Sequence, residues 1–158
     1  MKANHSHLQR NTRLITPLLV SVAFLAALFP QSIWAADGVL EINQTCAVQT
    51  GCFPGDAAGF PVSITSPGSY RLTGNLTVAD PNLDGIDIDT NTVSLSLSGF
   101  SIQGPGTSGT GTGVYQASAR RLTRISNGTV IGFGESGVRV GRFSSISQIR
   151  VIDTGSHG

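Results

Sequence analysis

Short runs in which apolar and polar residues alternate fill the second half of the chain. The clearest run, residues 93–98, reads Val-Ser-Leu-Ser-Leu-Ser. Because successive side chains on a β-strand point to opposite faces, this alternation predicts a strand with one buried and one solvated face. Val93, Leu95 and Leu97 are expected to point inward and the serines outward. Residues 61–65 alternate in the same way, and Gly, Pro, Ser and Asn separate the runs as turns.

A glycine followed by a β-branched residue recurs at Gly85-Ile86, Gly113-Val114 and Gly137-Val138. The intervals are 28 and 24 residues, and a further glycine, Gly158, lies 21 residues later. A period of 20–50 residues indicates a stacked-repeat architecture. Since the repeats consist of short β runs, we predict an all-β, three-sided parallel solenoid in which each coil buries its apolar face against its neighbours.

This period divides the chain into three parts. Residues 81–158 are expected to form about three coils, with the array truncated at Gly158. Residues 36–80 are expected to form an irregular N-terminal entry or cap that contains both cysteines. An unpaired last coil exposes strand edges, so end-to-end self-association is a further expectation.

The aligned coils predict which side chains stack. Ile86, Val114 and Val138 should form a column inside the solenoid, and Asp87, Tyr115 and Arg139 a column outside it. Gln116 matches apolar positions in the other coils, so we expect a buried polar side chain that needs hydrogen-bond partners. Ser98-Gly99 and Asn127-Gly128 should occupy the same sharp turn.

The first 35 residues predict a secretory signal peptide. Lys2, Arg10 and Arg13 give a basic start, residues 14–30 are almost wholly apolar, and Ala35 offers a small-residue cleavage site. An uncleaved membrane anchor is the alternative reading, because this stretch of 17 residues approaches the shortest membrane span. Cleavage predicts an exported protein, periplasmic or extracellular, with no membrane partner afterwards.

Composition limits the chemistry of residues 36–158. This segment has no Lys, Trp or Met, and its only His is His157. Residues 36–90 hold one Arg and seven acidic residues, a net charge of −6, whereas residues 91–158 hold six Arg and two acidic residues, a net charge of +4. The basic half is interpreted as a solvated surface and not as a nucleic-acid site, because the arginines are dispersed.

Cys46 and Cys52 are the only cysteines in the chain. In an exported protein an even count predicts a disulfide, and the five intervening residues include Gly51. A metal site would need further ligands, and no His or other Cys lies near. We therefore expect a disulfide, no metal site and no cofactor.

Three segments carry a family resemblance: residues 61–76, residues 98–104 and residues 127–133. They resemble the exported right-handed parallel β-helix proteins of Gram-negative bacteria, within the pectin-lyase-like superfamily. The resemblance covers about residues 40–158 and implies a right-handed parallel β-helix. Because typical members have many more coils, it also implies that the chain is an N-terminal portion of such a protein.

The resemblance leaves three classes of function open. One is a polysaccharide lyase or hydrolase: Asp87 and Asp89 share the outer face of one strand, about 6.6–6.8 Å apart by strand rise. That spacing suits inverting hydrolysis, but the next coils offer Tyr115 and Arg139 instead of carboxylates, so no catalytic residue is assigned. The second is a periplasmic metal-handling protein, which the absence of Met and the single terminal His of residues 36–158 disfavour.

The third class, which we favour, is a non-catalytic exported scaffold that faces a polysaccharide or another surface. Solenoids present long flat faces that suit extended ligands. The candidate ligand-facing residues are Asp87, Asp89, Tyr115 and Arg139.

Overall fold

Residues 38–155, which the computed structural model describes, form an all-β solenoid of parallel strands with about four turns. Residues 1–37 and 156–158, and with them the predicted signal peptide and its cleavage site, lie outside the described residues. Between residues 38 and 155, no helix combines the length and hydropathy needed to cross a bilayer.

The strands are short in the first turns and longer in the last two. A single six-residue helix, α1 (Gln44–Gln49), lies near the start of the described range. The strands in residues 38–155 are β1 (Leu40–Ile42), β2 (Val62–Ile64), β3 (Gly68–Leu72), β4 (Leu76–Thr77), β5 (Ile86–Ile88), β6 (Val93–Ser96), β7 (Ser101–Gln103), β8 (Thr112–Tyr115), β9 (Thr123–Phe133), β10 (Ser136–Arg139) and β11 (Ser145–Thr154).

Two sheets hold these strands. Strands β2, β5, β8 and β10 form a four-stranded sheet, and the other seven strands form the second sheet. Strand β9 runs through a corner of the solenoid, so residues 123–126 pair with β6 and residues 129–131 pair with β7. Each complete turn therefore contributes three strand segments, which confirms the predicted parallel β-solenoid.

The solenoid begins one turn earlier than the glycine repeat indicated. Strands β2, β3 and β4, which fall in the predicted N-terminal entry, pair in register with β5, β6 and β7. The expected three coils therefore become about four turns. The repeat pattern missed this turn because Pro61, and not Gly, precedes Val62, so the turn lacks the glycine that marks the others.

The interior is built from the columns that alternation predicted. Ile86 pairs with Val114 and Val114 with Val138, and the first two are fully buried. Val93, Leu95 and Leu97 are also buried, whereas Ser94 and Ser98 are exposed. The inward register is therefore confirmed.

Gln116 is buried in this apolar interior, as expected, and all of its polar atoms are satisfied. Its Nε2 donates to the Thr90 carbonyl at 2.9 Å and to the Thr123 hydroxyl at 2.7 Å. Its Oε1 accepts from the Gly141 amide at 3.0 Å. The side chain thus connects three successive turns at one corner.

A second corner carries a column of left-handed residues. Ser98, Asn127 and Gln148 have φ angles of 51°, 59° and 55°. The Gly99 amide donates to the Asn127 carbonyl at 2.8 Å, so the two Gly-containing turns stack directly. This confirms that they occupy the same turn.

Three different contacts cover the strand edges at the N-terminal end. Strand β1 pairs with β3, and the Gln44 side chain bonds both the amide and the carbonyl of Thr77 on β4. The Asp56 carboxylate accepts from the amides of Ser63 on β2 and Cys52, both at 2.8 Å. Since free strand edges invite pairing with other chains, these contacts act as a cap.

The Cys46–Cys52 disulfide, which joins α1 to this cap, is present as predicted. Its loop spans a sequence separation of six residues. Short loops restrict the unfolded chain least, so the expected stabilisation is small, about 2 kcal/mol.

Candidate functional site

The predicted outer column lies on the four-stranded sheet. Asp87 on β5 pairs with Tyr115 on β8, and Tyr115 pairs with Arg139 on β10. Ser63 on β2 extends the same column by one turn. We call these four residues the outer column. Because neighbouring strands lie about 4.8 Å apart, it presents one polar or aromatic side chain per turn along a straight line.

Arg139 is held over the aromatic ring of Tyr115. Its guanidinium carbon lies 5.6 Å from the ring centroid, within the range of a cation–π contact. Its Nη1 also lies 2.9 Å from Oε1 of Glu135, four residues earlier in the chain. The two contacts fix the guanidinium group beside the tyrosine.

Asp89 lies two residues after Asp87 and is held by a residue that sequence reasoning did not select. Arg120 places Nη2 at 2.6 Å and Nε at 3.1 Å from Oδ1 of Asp89. Asp89 therefore faces the outside of the solenoid as an ion pair and not as a free carboxylate. The two residues are 31 positions apart, close to one repeat, and that spacing was the only signal in the sequence.

Burial and neighbouring charge act on two of the carboxyl groups. Burial raises the pKa of Asp87, and the negative charge of Asp89 raises it further. Burial also raises the pKa of Asp84, a hydrogen bond from the Thr112 amide opposes this, and the charges of Asp87 and Glu135 add to the increase. Asp84 thus belongs electrostatically to the same surface, although alternation had not indicated it.

The raised pKa of Asp87 predicts a pH-dependent loss of stability. A carboxyl whose pKa is higher in the folded state favours folding below its unfolded pKa of about 3.9, and this contribution is lost as the pH rises through the folded pKa. Asp87→Asn should therefore unfold at a higher temperature than the wild type at pH 7 and at nearly the same temperature at pH 3.5. Thermal unfolding followed by circular dichroism at the two pH values measures this. An equal difference in unfolding temperature at both pH values would show that the charge of Asp87 is not the cause.

The groups that the outer column holds define the chemistry available to it. No group of three or more His, Cys, Asp or Glu residues between residues 38 and 155 is placed to bind a metal ion. The positions of the outer column next to Asp87 are Ser63 and Tyr115, so no second carboxyl faces Asp87 from an adjacent turn. The surface instead offers one acceptor, one aromatic ring and one fixed cation on successive strands.

Comparisons with known proteins add nothing to this picture. The chain matches no family model. No curated protein and no solved structure is significantly similar to it. The likeness to pectin-lyase-like proteins therefore rests on the three segments quoted above, and a function must be argued from the surface itself.

Proposed function

We propose that this protein is an exported, non-catalytic β-helix scaffold of the pectin-lyase-like type whose outer column contacts a polysaccharide or a cell-envelope surface. The observation that carries the proposal is the fixed sequence of Asp87, Tyr115 and Arg139 on successive strands. A carboxylate accepts hydrogen bonds from sugar hydroxyls, a guanidinium group donates to them, and an aromatic ring packs against the apolar face of a sugar ring.

The proposed exported location has two supports. The Cys46–Cys52 disulfide is typical of proteins that fold in an oxidising compartment. The basic, apolar and small-residue zones of residues 1–35 have the layout of a signal peptide. We place the protein in the periplasm or outside the cell.

A second candidate function is glycoside hydrolysis by Asp87 and Asp89. The observation that favours it is their unequal surroundings: burial raises the pKa of Asp87, whereas Arg120 forms an ion pair with Asp89. An acid and a base for inverting hydrolysis need such a difference. The binding role is preferred for two reasons. The carboxylate of Asp89 already bonds to the Arg120 guanidinium group, and the residue paired with Asp87 on the next turn is Tyr115 and not a carboxylic acid.

Binding to soluble polysaccharides tests the proposed function. Affinity electrophoresis of the full chain in gels that contain polygalacturonate, a β-glucan or dextran should show retardation by at least one of them. Tyr115→Ala should reduce the retardation, because the ring between Asp87 and Arg139 is lost. We expect about a tenfold weaker association, the effect of losing one well-packed aromatic contact.

A matched pair of arginine variants provides the control. Arg139 and Arg71 are both half-exposed and both paired with a glutamate, but Arg71 lies on the other sheet. Arg139→Gln should weaken retardation and Arg71→Gln should not. Equal weakening by both, or no retardation in any gel, would contradict the proposal. If the wild-type protein releases new reducing ends from a polysaccharide and the Asp87→Asn variant does not, the result would favour the hydrolase instead.

A further inference from the structure

The corner of the solenoid that follows strands β8 and β10 carries two stacked pairs of arginine and large apolar residues. Arg121 bridges to Arg142 on the next turn, and the Leu122 amide donates to the Arg142 carbonyl at 3.0 Å. Leu122 and Phe143 follow the two arginines directly in the chain. We call these four residues the arginine corner.

Both apolar residues of this corner are exposed in a backbone conformation that costs energy. Leu122 has φ 62° and is 53% exposed, and Phe143 has φ 55° and is 79% exposed. Left-handed backbone is a true outlier for bulky residues, and glycine or asparagine would adopt it more readily. Since neither side chain is buried, packing in the interior does not explain why these positions hold Leu and Phe. Thr92 adopts the same conformation one turn earlier, with φ 59°, so the corner itself sets the backbone. The corner does not require large apolar side chains, and two of them exposed side by side point to an interaction surface.

The arginines of the corner have no counter-charge, a property they share with Arg124 and Arg150 among the described residues. Arg71, Arg120 and Arg139 each pair with a carboxylate. Arg121 and Arg142 are exposed and make no ion pair within residues 38–155. They lie directly opposite each other on neighbouring turns, an arrangement that like charges disfavour. An anionic partner would relieve this repulsion.

The backbone of the corner is fixed before any partner arrives. The Arg121 amide donates to the Asn91 side chain at 3.0 Å, and the Arg121 carbonyl accepts from Thr92. The Arg142 amide donates to the Arg120 carbonyl at 2.9 Å. Leu122 and Phe143 are thus presented on a rigid frame, and ordering them at an interface costs little further entropy.

We propose that the arginine corner contacts the surface of a bilayer that contains anionic lipids, with the two guanidinium groups at the headgroups and the Leu122 and Phe143 side chains in the interfacial layer. Charge complementarity selects an anion, and the apolar side chains select a partner with an apolar phase behind the anionic groups. The corner joins β8 to β9 and β10 to β11 on the outside of the solenoid, so it is convex and suits a planar partner, whereas small-ligand sites are concave.

A polysaccharide fits this corner less well. The four side chains hold donors and apolar groups but no hydrogen-bond acceptor, whereas sugar hydroxyls need both donors and acceptors. Leu122 is aliphatic and offers no aromatic face. The proposal does not depend on the outer column. It departs from the expectation of no membrane partner, because the sequence pattern did not reveal that Leu122 and Phe143 face outward.

A single tryptophan placed at the corner tests the contact at that position. The chain has one Trp, so Trp34→Phe combined with Phe143→Trp leaves a reporter at the corner only. With vesicles of equal parts phosphatidylglycerol and acyl-brominated phosphatidylcholine, its fluorescence should be quenched. Trp34→Phe with Val48→Trp is the control, because Val48 is 45% exposed on α1 at the capped end. Quenching at Val48 but not at Phe143 would overturn the proposal.

Charge variants test the anionic requirement in the same reporter background. Arg121→Gln with Arg142→Gln should weaken partition into the vesicles by about tenfold or more. Arg71→Gln with Arg150→Gln removes the same charge elsewhere and should change partition by less than about threefold. Three outcomes would each overturn the proposal. The quenching could be equal with vesicles of pure brominated phosphatidylcholine, the two double variants could have equal effects, or the protein could bind polygalacturonate but not vesicles.

Phe143→Asn separates function from folding. Asparagine tolerates left-handed backbone, so this variant should unfold at the same temperature as the wild type or above it. If the corner contacts lipid, the same variant, compared by vesicle sedimentation in the wild-type background, should bind phosphatidylglycerol vesicles less well. A loss of stability with unchanged vesicle binding would show that Phe143 serves the fold alone.

Discussion

Val114→Asp should unfold the solenoid, whereas the same substitution at the next residue, Tyr115→Asp, should leave it folded. Val114 is fully buried and lies between Ile86 and Val138 in the inner column. An aspartate at this position would place an unpaired carboxylate in an apolar interior, at a cost of several kcal/mol. Since domains of this size are stable by only about 5–15 kcal/mol, most of the margin would be lost.

Tyr115 is the matched control because it lies on the outer face of the same strand. A carboxylate there remains hydrated and lies between Asp87, which repels it, and Arg139, which attracts it, so the expected change is within about 1 kcal/mol. Urea unfolding of the two variants, followed by circular dichroism, measures the difference. Similar losses, or a larger loss for Tyr115→Asp, would show that the strand register is shifted by one residue.

The sequence predicted the interior well because burial and strand geometry impose the same period. Where a strand has one buried face, every second residue must be apolar, and a shift of one residue would expose the whole set. The run from Val93 to Ser98 therefore revealed both the strand and its faces. Gln116 could be assigned to the interior by alignment alone, although its three partners could not.

The candidate surface was only partly predictable, because its partners come from adjacent turns. The outer column of Asp87, Tyr115 and Arg139 followed from the repeat alignment and is confirmed as a column. The ion pair of Asp89 with Arg120 did not, since Arg120 lies in a corner where no strand alternation sets the direction of side chains. Alternation within a strand predicts which face of the sheet each side chain lies on, but it does not predict the contacts that residues at the corners make with other turns.

The corners are also where the sequence says least about which large apolar residues are exposed. Strand β9 begins at Thr123, and Leu122 just before it adopts left-handed backbone. Leu122 and Phe143 are large apolar residues, a type that is usually buried, but both are exposed. The exposed position of Leu122, and of Phe143 one turn later, could be found only in three dimensions.

Gly113→Ala should be almost as destabilising as the buried charge, although it adds a single methyl group. A Cβ at Gly113 would lie 2.6 Å from the carbonyl oxygen of Gly137 and would overlap the side chain of Val130. A Cβ at Gly85 would meet the carbonyl oxygen of Gly113 in the same way, at 2.5 Å. At Gly85 and Gly113 the backbone of the next turn therefore approaches too closely for a side chain, whereas at Gly137 the obstacle is the side chain of Val151.

The backbone oxygen cannot move aside without breaking the parallel pairing of β8 with β10. We therefore expect Gly113→Ala to lose about 3 kcal/mol, the upper part of the range for overpacked positions. Gly74→Ala is the control: its Cβ would meet only the Cβ of Asn43 at 3.8 Å, an ordinary contact, so stability should stay within about 1 kcal/mol of the wild type. Thermal and urea unfolding of the two variants measure the difference. If both alanines are equally tolerated, turns can separate locally, and the recurring glycine is not what sets their spacing.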